Sequence, residues 1–195
     1  MKIWAHRGCS QRYPENTQLA FEKAMELKDL EGIELDVQLS RDGELVVIHD
    51  ERVDRTTEGI GYVRDYTLCE LKKLHIYADA APGQSILTMA EVLDLTEERR
   101  KAGMKLNIEL KNSVWPYAGM EEKLVDLVHQ KCTSDTAANI VYSSFYALSL
   151  ERLRRLDSKA ETGILDEKVS DCLFKAKGCK ADALHPFWRG MDLTK

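Results

Sequence analysis

The sequence predicts an α/β fold built from parallel βαβ units. Short apolar strands alternate with amphipathic helices along most of the chain. Helix-capping and helix-stopping residues punctuate the joints. The chain has 195 residues, 44% apolar and 31% charged, which is ordinary globular composition and room for one sizeable domain. An α/β barrel typically takes about 250 residues and rarely fewer than about 200. The length therefore sits at the lower limit of that architecture.

Strand one is Ile3 to His6. A loop with Pro14 leads to the cap residues Asn16 and Thr17. A helix follows with Ala20, Phe21, Ala24 and Leu27 on one face. Strand two is Ile33 to Val37. A long insertion, about residues 38–87, interrupts the alternation here. It opens with Asp42-Gly43, a hairpin signal, so Leu45 to Ile48 should run antiparallel to strand two and bring His49-Asp50 to the mouth of the sheet. Glu51 to Leu87 is turn-rich and polar and reads as an excursion over the top. Thr88-Met-Ala-Glu91 is a capping box opening a helix that runs to Gly103. Strand three is Leu106 to Leu110, followed by a helix near Glu121 to Lys131. Strand four is Ile140 to Ser143, and the next helix carries Ala147, Leu150 and Leu153. Strand five is Thr162 to Leu165, with a helix around Asp171 to Lys177. Strand six is Ala183 to His185.

The chemistry concentrates where the strand pattern breaks. Side chains alternate faces along a strand, so Glu34 and Asp36 share one face while Ile33, Leu35 and Val37 share the other. Strands of a parallel sheet are normally apolar on both faces, and acids there are costly unless something positive meets them. Asn107, Glu109 and Lys111 repeat the anomaly opposite Ile108 and Leu110. All of these lie at carboxyl ends of strands, where α/β sheets bind ligands. Three carboxylates make an all-oxygen site, which selects Mg²⁺ or Ca²⁺ over Zn²⁺; the bland alternative is a set of buried salt bridges. Lys111 tempers the negative charge and could help hold an anion. His6 ends strand one and His49 ends the hairpin return, and two imidazoles at one mouth can exchange protons near neutral pH. Arg7 offers a planar fork for phosphate oxygens, and Gly8 allows close backbone approach. A cation, an arginine and two histidines suit phosphodiester cleavage. His185 could line a substrate pocket. His75 and His129 read as solvated. Ser143-Ser144 reads as pocket lining, and Cys9 as a bystander.

These residues fall into motifs. Ala5-His-Arg-Gly8, Pro14-Glu-Asn-Thr17, Glu34-Leu-Asp36, Asp42-Gly43 with Val46-Val47, His49-Asp50, Ile108-Glu-Leu-Lys111 and Ser143-Ser-Phe145 occur in that order. With them the chain, over residues 1 to about 188, resembles the glycerophosphodiester phosphodiesterases, metal-dependent α/β barrels. The resemblance implies a TIM-type (β/α)8 barrel of which about six βα units are present. It implies that His6 and His49 are the acid/base pair and that Glu34, Asp36 and Glu109 hold Mg²⁺ or Ca²⁺. It further implies that Arg7 and Lys111 contact phosphate, that Glu15 and Asn16 support the site, and that His185 lies on the substrate side. A glycerol hydroxyl would attack phosphorus and give a cyclic phosphate, which is then hydrolysed to glycerol 3-phosphate. Family members continue past the His-Pro strand with further strands and helices, whereas this sequence stops at Met191-Asp-Leu-Thr-Lys195. The whole chain, 1–195, is thus expected to be one incomplete barrel domain.

The expected substrate is a small-molecule glycerophosphodiester. A lysophospholipase D-type reaction on the same barrel is an alternative. Another is a weakly active fragment that binds or assembles through open barrel edges, which would let copies pair as a homo-oligomer. The charge, 28 basic against 33 acidic residues, is −5 and offers no bulk attraction for nucleic acid or anionic lipid. No apolar run approaches the roughly 20 residues of a membrane span, and no signal-peptide core follows Met1. The five scattered cysteines form no Cys-x-x-Cys pair and read as reduced thiols of a cytoplasmic protein.

Overall fold

The computed structural model describes residues 2–77 and 83–187. The last segment, Met191-Asp-Leu-Thr-Lys195, lies outside the described residues. Six strands run parallel in the order β1 (Ile3–His6), β2 (Leu30–Leu39), β5 (Lys105–Leu110), β6 (Ile140–Ser144), β7 (Glu161–Asp166) and β8 (Ala183–Pro186). β3 (Leu45–Val47) pairs antiparallel with β2, and β4 (Leu87–Thr88) antiparallel with β3. β2 is longer than the apolar pattern indicates because one edge serves two partners. Its lower part, Leu30 to Glu34, pairs with β1, and its upper part, Val37 to Leu39, pairs with β3. Among the described residues no pairing joins β1 to β8, so the sheet is open between them.

Helices cover the outer face of this sheet. They are α1 (Gln18–Met25), α3 (Met89–Lys101), α4 (Met120–Lys131), α6 (Ala147–Leu156) and α7 (Val169–Cys179), with the single turns α2 (Leu68–Leu71) and α5 (Ser134–Ala137) between them. Ile33, Leu35 and Val37 of β2 and Leu106, Ile108 and Leu110 of β5 point outward, fully or almost fully buried, against Phe21, Val92, Leu93, Leu124 and Leu150. Burying six large aliphatic side chains contributes roughly 1.5–3 kcal/mol each. The apolar alternation is thus what fixes which strand face meets the helices and which is left for the polar residues. α3 opens with the capping box, Thr88 Oγ1 accepting from Glu91 N–H at 3.2 Å while the Glu91 carboxylate accepts from Thr88 N–H at 2.7 Å.

Two details differ from the sequence reading. α1 closes at Met25, where Leu27 N–H turns back to Ala24 O, so Leu27 falls outside the apolar stripe and is exposed. The excursion after His49 is more than polar turns. Val46, Ile48, Val53, Val63, Leu71 and Ile86 form a second, smaller core, and α2 has its own capping box between Thr67 and Glu70. Apolar residues spaced irregularly through turns leave no period for a sequence to show. The five cysteines are unpaired. No helix among the described residues is long and apolar enough to cross a membrane.

Because Leu71 is fully buried in this second core, Leu71→Ala should cost about 2–5 kcal/mol in urea unfolding. A loss below ~1 kcal/mol would mean that the excursion is not packed on β3.

Candidate active site

Strand register brings the polar residues together. His6 lies opposite Glu34, and Glu34 opposite Asn107. One row further along the strands, Asp36 lies opposite Glu109, and Glu109 opposite Ser143. Two neighbouring rows of the inward face thus carry a histidine and three carboxylates, because each strand keeps its period of two. Carboxylate oxygens of Glu34, Asp36 and Glu109 all lie within 4.8 Å of one another.

Cations limit the repulsion. Lys111 Nζ donates to Glu109 Oε1 at 2.9 Å and lies 3.9 Å from Asp36 Oδ1. Arg7 Nε lies 3.3 Å from Asp36 Oδ2, and Arg7 donates to Glu15 Oε1 at 3.1 Å. Compensation is incomplete. Desolvation, with Asp36 and Glu109 alongside, raises the Glu34 carboxyl well above its ordinary range. Desolvation raises Glu109 as well, with Lys111 opposing the shift and Asp36 adding to it. Two buried oxygens, Glu34 Oε1 and Asp36 Oδ1, have no hydrogen-bond partner among the described residues. Buried carboxylate oxygens rarely remain unmatched, and an all-oxygen donor set suits a hard divalent cation. The residues present therefore fit such an ion.

The loop after β1 is shaped to reach the cluster. Arg7 and Asn16 both adopt left-handed backbone, φ +58° and +57°, at a cost of ~1 kcal/mol each. Arg7 N–H donates to Glu34 O at 2.9 Å, and Asn16 N–H to Arg7 O at 3.1 Å, which holds the strained turn. Gly8, φ +78°, is packed so tightly that a Cβ would sit 2.7 Å from the Ala20 carbonyl. Thr17, not Asn16, caps α1. Asn16 instead turns inward and donates its amide to Asp36 Oδ2 at 3.0 Å.

The second histidine is held from both sides. His49 Nδ1 lies 2.5 Å from Asp50 Oδ1, and Nε2 lies 3.2 Å from Lys111 Nζ. A carboxylate accepts and an ammonium donates, so the proton sits on Nδ1 and the Nε2 lone pair faces Lys111. Hydrogen bonds from Arg55 and His49 overcome desolvation and hold the Asp50 carboxyl down at about 2. Arg55 also grips Glu15, at 2.7 and 3.0 Å, and so ties the β1 loop to the His49 segment. Arg55 is a site residue that the sequence reading missed, because a lone arginine amid turns carries no pattern. His6 lies 3.6 Å from Glu34 Oε2; desolvation and the neighbouring Arg7 lower its imidazole below the ordinary value.

His185 stands further off, on β8, with its ring packed over Gly163, where a Cβ would lie 2.7 Å from Cε1. It lines the same cavity as His6, Glu34, Asn107 and Glu109, about 480 Å³ in volume. Lys105 and Glu161, paired at 2.6 Å, also line this cavity, toward the amino ends of their strands. A larger cavity of about 640 Å³, beside α4 and α5, has no such converging carboxylates. His75 and His129 lie more than half exposed beside Glu58 and Asp157.

The model of the glycerophosphoryl diester phosphodiesterase family matches residues 6–178, which include every site residue above except His185. The chain belongs to that family. A glycerophosphodiester phosphodiesterase of Caldanaerobacter subterraneus subsp. tengcongensis is 40% identical over 190 residues, 95% of this chain and 75% of that one. One from Bacillus altitudinis is 39% identical over 198 residues, 100% of this chain and 78% of that one. Among solved structures, an Oleispira antarctica phosphodiesterase in complex with the product sn-glycerol-3-phosphate matches with a TM-score of 0.83 and 28% identity. The match covers 100% of this chain and 78% of that one. The family's α/β barrel architecture is therefore the fold of this phosphodiesterase-family chain, with its sheet open among the described residues.

A carboxyl raised by desolvation and repulsion lowers stability as pH rises from its unfolded value toward its folded one. Glu34→Gln should therefore raise the thermal midpoint in chelator by a few degrees, the shift that ~1 kcal/mol gives a chain of this size. The gain should be present at neutral pH and shrink toward acid pH. The variant should also lose the stabilisation that Mg²⁺ or Ca²⁺ gives the parent. An unchanged metal response would remove Glu34 from the ligand set.

Proposed function

We propose that the chain hydrolyses glycerophosphodiesters to glycerol 3-phosphate and an alcohol, using a divalent cation and the His6–His49 pair. The observation that carries this reading is the carboxylate cluster with two unmatched buried oxygens, flanked by Arg7, Lys111 and two histidines. The family and the product named in the Oleispira antarctica complex support the substrate class.

Glu34, Asp36 and Glu109 would hold Mg²⁺ or Ca²⁺, which when bound offsets charge on phosphoryl oxygens. Arg7 and Lys111 bind the remaining phosphate oxygens, Arg7 through its planar fork. Glu15 and Asn16 support them, Glu15 by holding Arg7 and Asn16 by holding Asp36. One imidazole takes the proton from the attacking glycerol hydroxyl as its oxygen bonds to phosphorus. The other gives a proton to the leaving alkoxide as the second P–O bond breaks. Water then opens the cyclic phosphate by the same exchange in reverse. His185, on the far wall of the cavity, contacts the substrate outside the phosphate.

Among the described residues the outer edges of β1 and β8 have no strand partner, which favours a second reading in which the open face pairs with another copy. Ile3 and Trp4 of β1 and Leu184 of β8 are exposed there. A concentration-independent monomer in size-exclusion chromatography would remove it.

Purified protein supplied with Mg²⁺ or Ca²⁺ should release glycerol 3-phosphate from glycerophosphocholine, and chelator should stop it. His6→Ala or His49→Ala should lower kcat at least about a hundredfold while the fold persists by circular dichroism. Parent-like rates for both would refute the acid/base roles. Asp36→Ala should raise the metal concentration needed for half activity, and an unchanged titration would contradict its place as a ligand.

A further inference from the structure

Gln38 continues the polar row of β2 two residues beyond Asp36 and is fully buried. β3 pairs beside it, Val46 opposite Gln38, and leaves the sheet after Val47, opposite Val37. Ile48 N–H still donates to Asp36 O, at 3.0 Å. The next carbonyls turn to a side chain instead: Gln38 Nε2 donates to Ile48 O at 3.3 Å, His49 O at 3.0 Å and Asp50 O at 2.6 Å. An amide nitrogen has two hydrogens, so one of them is shared among these acceptors. On the other side Gln38 Oε1 accepts from the Tyr117 hydroxyl at 3.0 Å.

Carbonyls only accept, and the phenol has its proton to give, because burial pushes Tyr117 up to about 12. Both ends of the amide are thereby forced into one orientation. Tyr117 stands in the segment that follows Glu109 and Lys111. A single buried amide thus joins β2, the His49 segment and the chain after β5. β2 carries Asp36, the second segment carries His49, and the third follows Glu109 and Lys111 along the chain. Asp50 and Arg55 act on the imidazole, whereas Gln38 acts on the backbone that bears it.

We propose that Gln38 is a positioning residue for His49, its amide set by the Tyr117 hydroxyl so that the Ile48–Asp50 backbone holds the imidazole against Lys111 and the carboxylate cluster. The inference rests on the reading that His49 moves a proton in the reaction. Removing the amide leaves three carbonyls without their donor, and the segment is then free to relax away from the cluster. Misplacement of a proton-transfer group lowers turnover rather than substrate binding.

The test is a double-mutant cycle on glycerophosphocholine turnover at saturating metal. Gln38→Leu and Tyr117→Phe are each measured in the parent and in the His49→Ala background. In the parent, Gln38→Leu should lower kcat about tenfold or more, and Tyr117→Phe about threefold, with KM changed less than about threefold. In the His49→Ala background each should cost less than about twofold, since there is no imidazole left to place. Equal losses in both backgrounds would show a general structural role and overturn the inference, as would parent-like rates for both variants. Where Gln38→Leu fails to fold, Tyr117→Phe, which keeps the ring, decides by the same comparison. Parent-like turnover in His49→Ala alone would instead strike the acid/base reading, and the inference with it.

Discussion

Three carboxylates with oxygens inside 4.8 Å of one another, on neighbouring strands and largely out of water, are the constraint to which the rest of this structure answers. Desolvation and mutual repulsion oppose their ionisation. Lys111 and Arg7 meet part of the charge, and two oxygens still accept no hydrogen bond among the described residues. Such an arrangement is unfavourable for folding alone. Under the proposed function a cation would complete the site, and stability and function would then stand in opposition.

The loops are organised around the same point. The backbone after β1 takes two left-handed residues so that Arg7 and Asn16 can both reach Asp36, and Gly8 admits the Ala20 carbonyl where any side chain would collide. Arg55 bridges Glu15 to Asp50, and Asp50 fixes the tautomer of His49. The insertion between β2 and α3 therefore does more than cover the mouth. Its small core around Leu71 gives Arg55 a fixed base from which to hold two segments together.

The parts of the site that lie on strands were legible in the sequence. Alternation alone separates Glu34 and Asp36 from Ile33, Leu35 and Val37, and an acid on a strand expected to be apolar on both faces announces itself. The hairpin signal at Asp42-Gly43 indicated where His49 would be delivered, and β3 does run antiparallel on β2. Contacts that bridge distant turns were not legible. Arg55 meets Glu15 across 40 positions, and Tyr117 meets Gln38 across 79. No local period records either. By residue type Asn16 reads as a cap beside Thr17, since both cap helices; only the fold shows that the left-handed turn points Asn16 toward Asp36 instead. The family motifs named the residues, but the register between β2 and β5 is what makes them one site.

The central claim is that Glu34, Asp36 and Glu109 form one cation site. Anomalous diffraction from crystals grown with Mn²⁺, an oxygen-seeking stand-in for Mg²⁺, tests it most directly. The account predicts a single strong peak with carboxylate oxygens of all three residues at coordination distance. A cluster without a peak, its charge met by Lys111 and Arg7 alone while Mn²⁺ binds elsewhere, would contradict it.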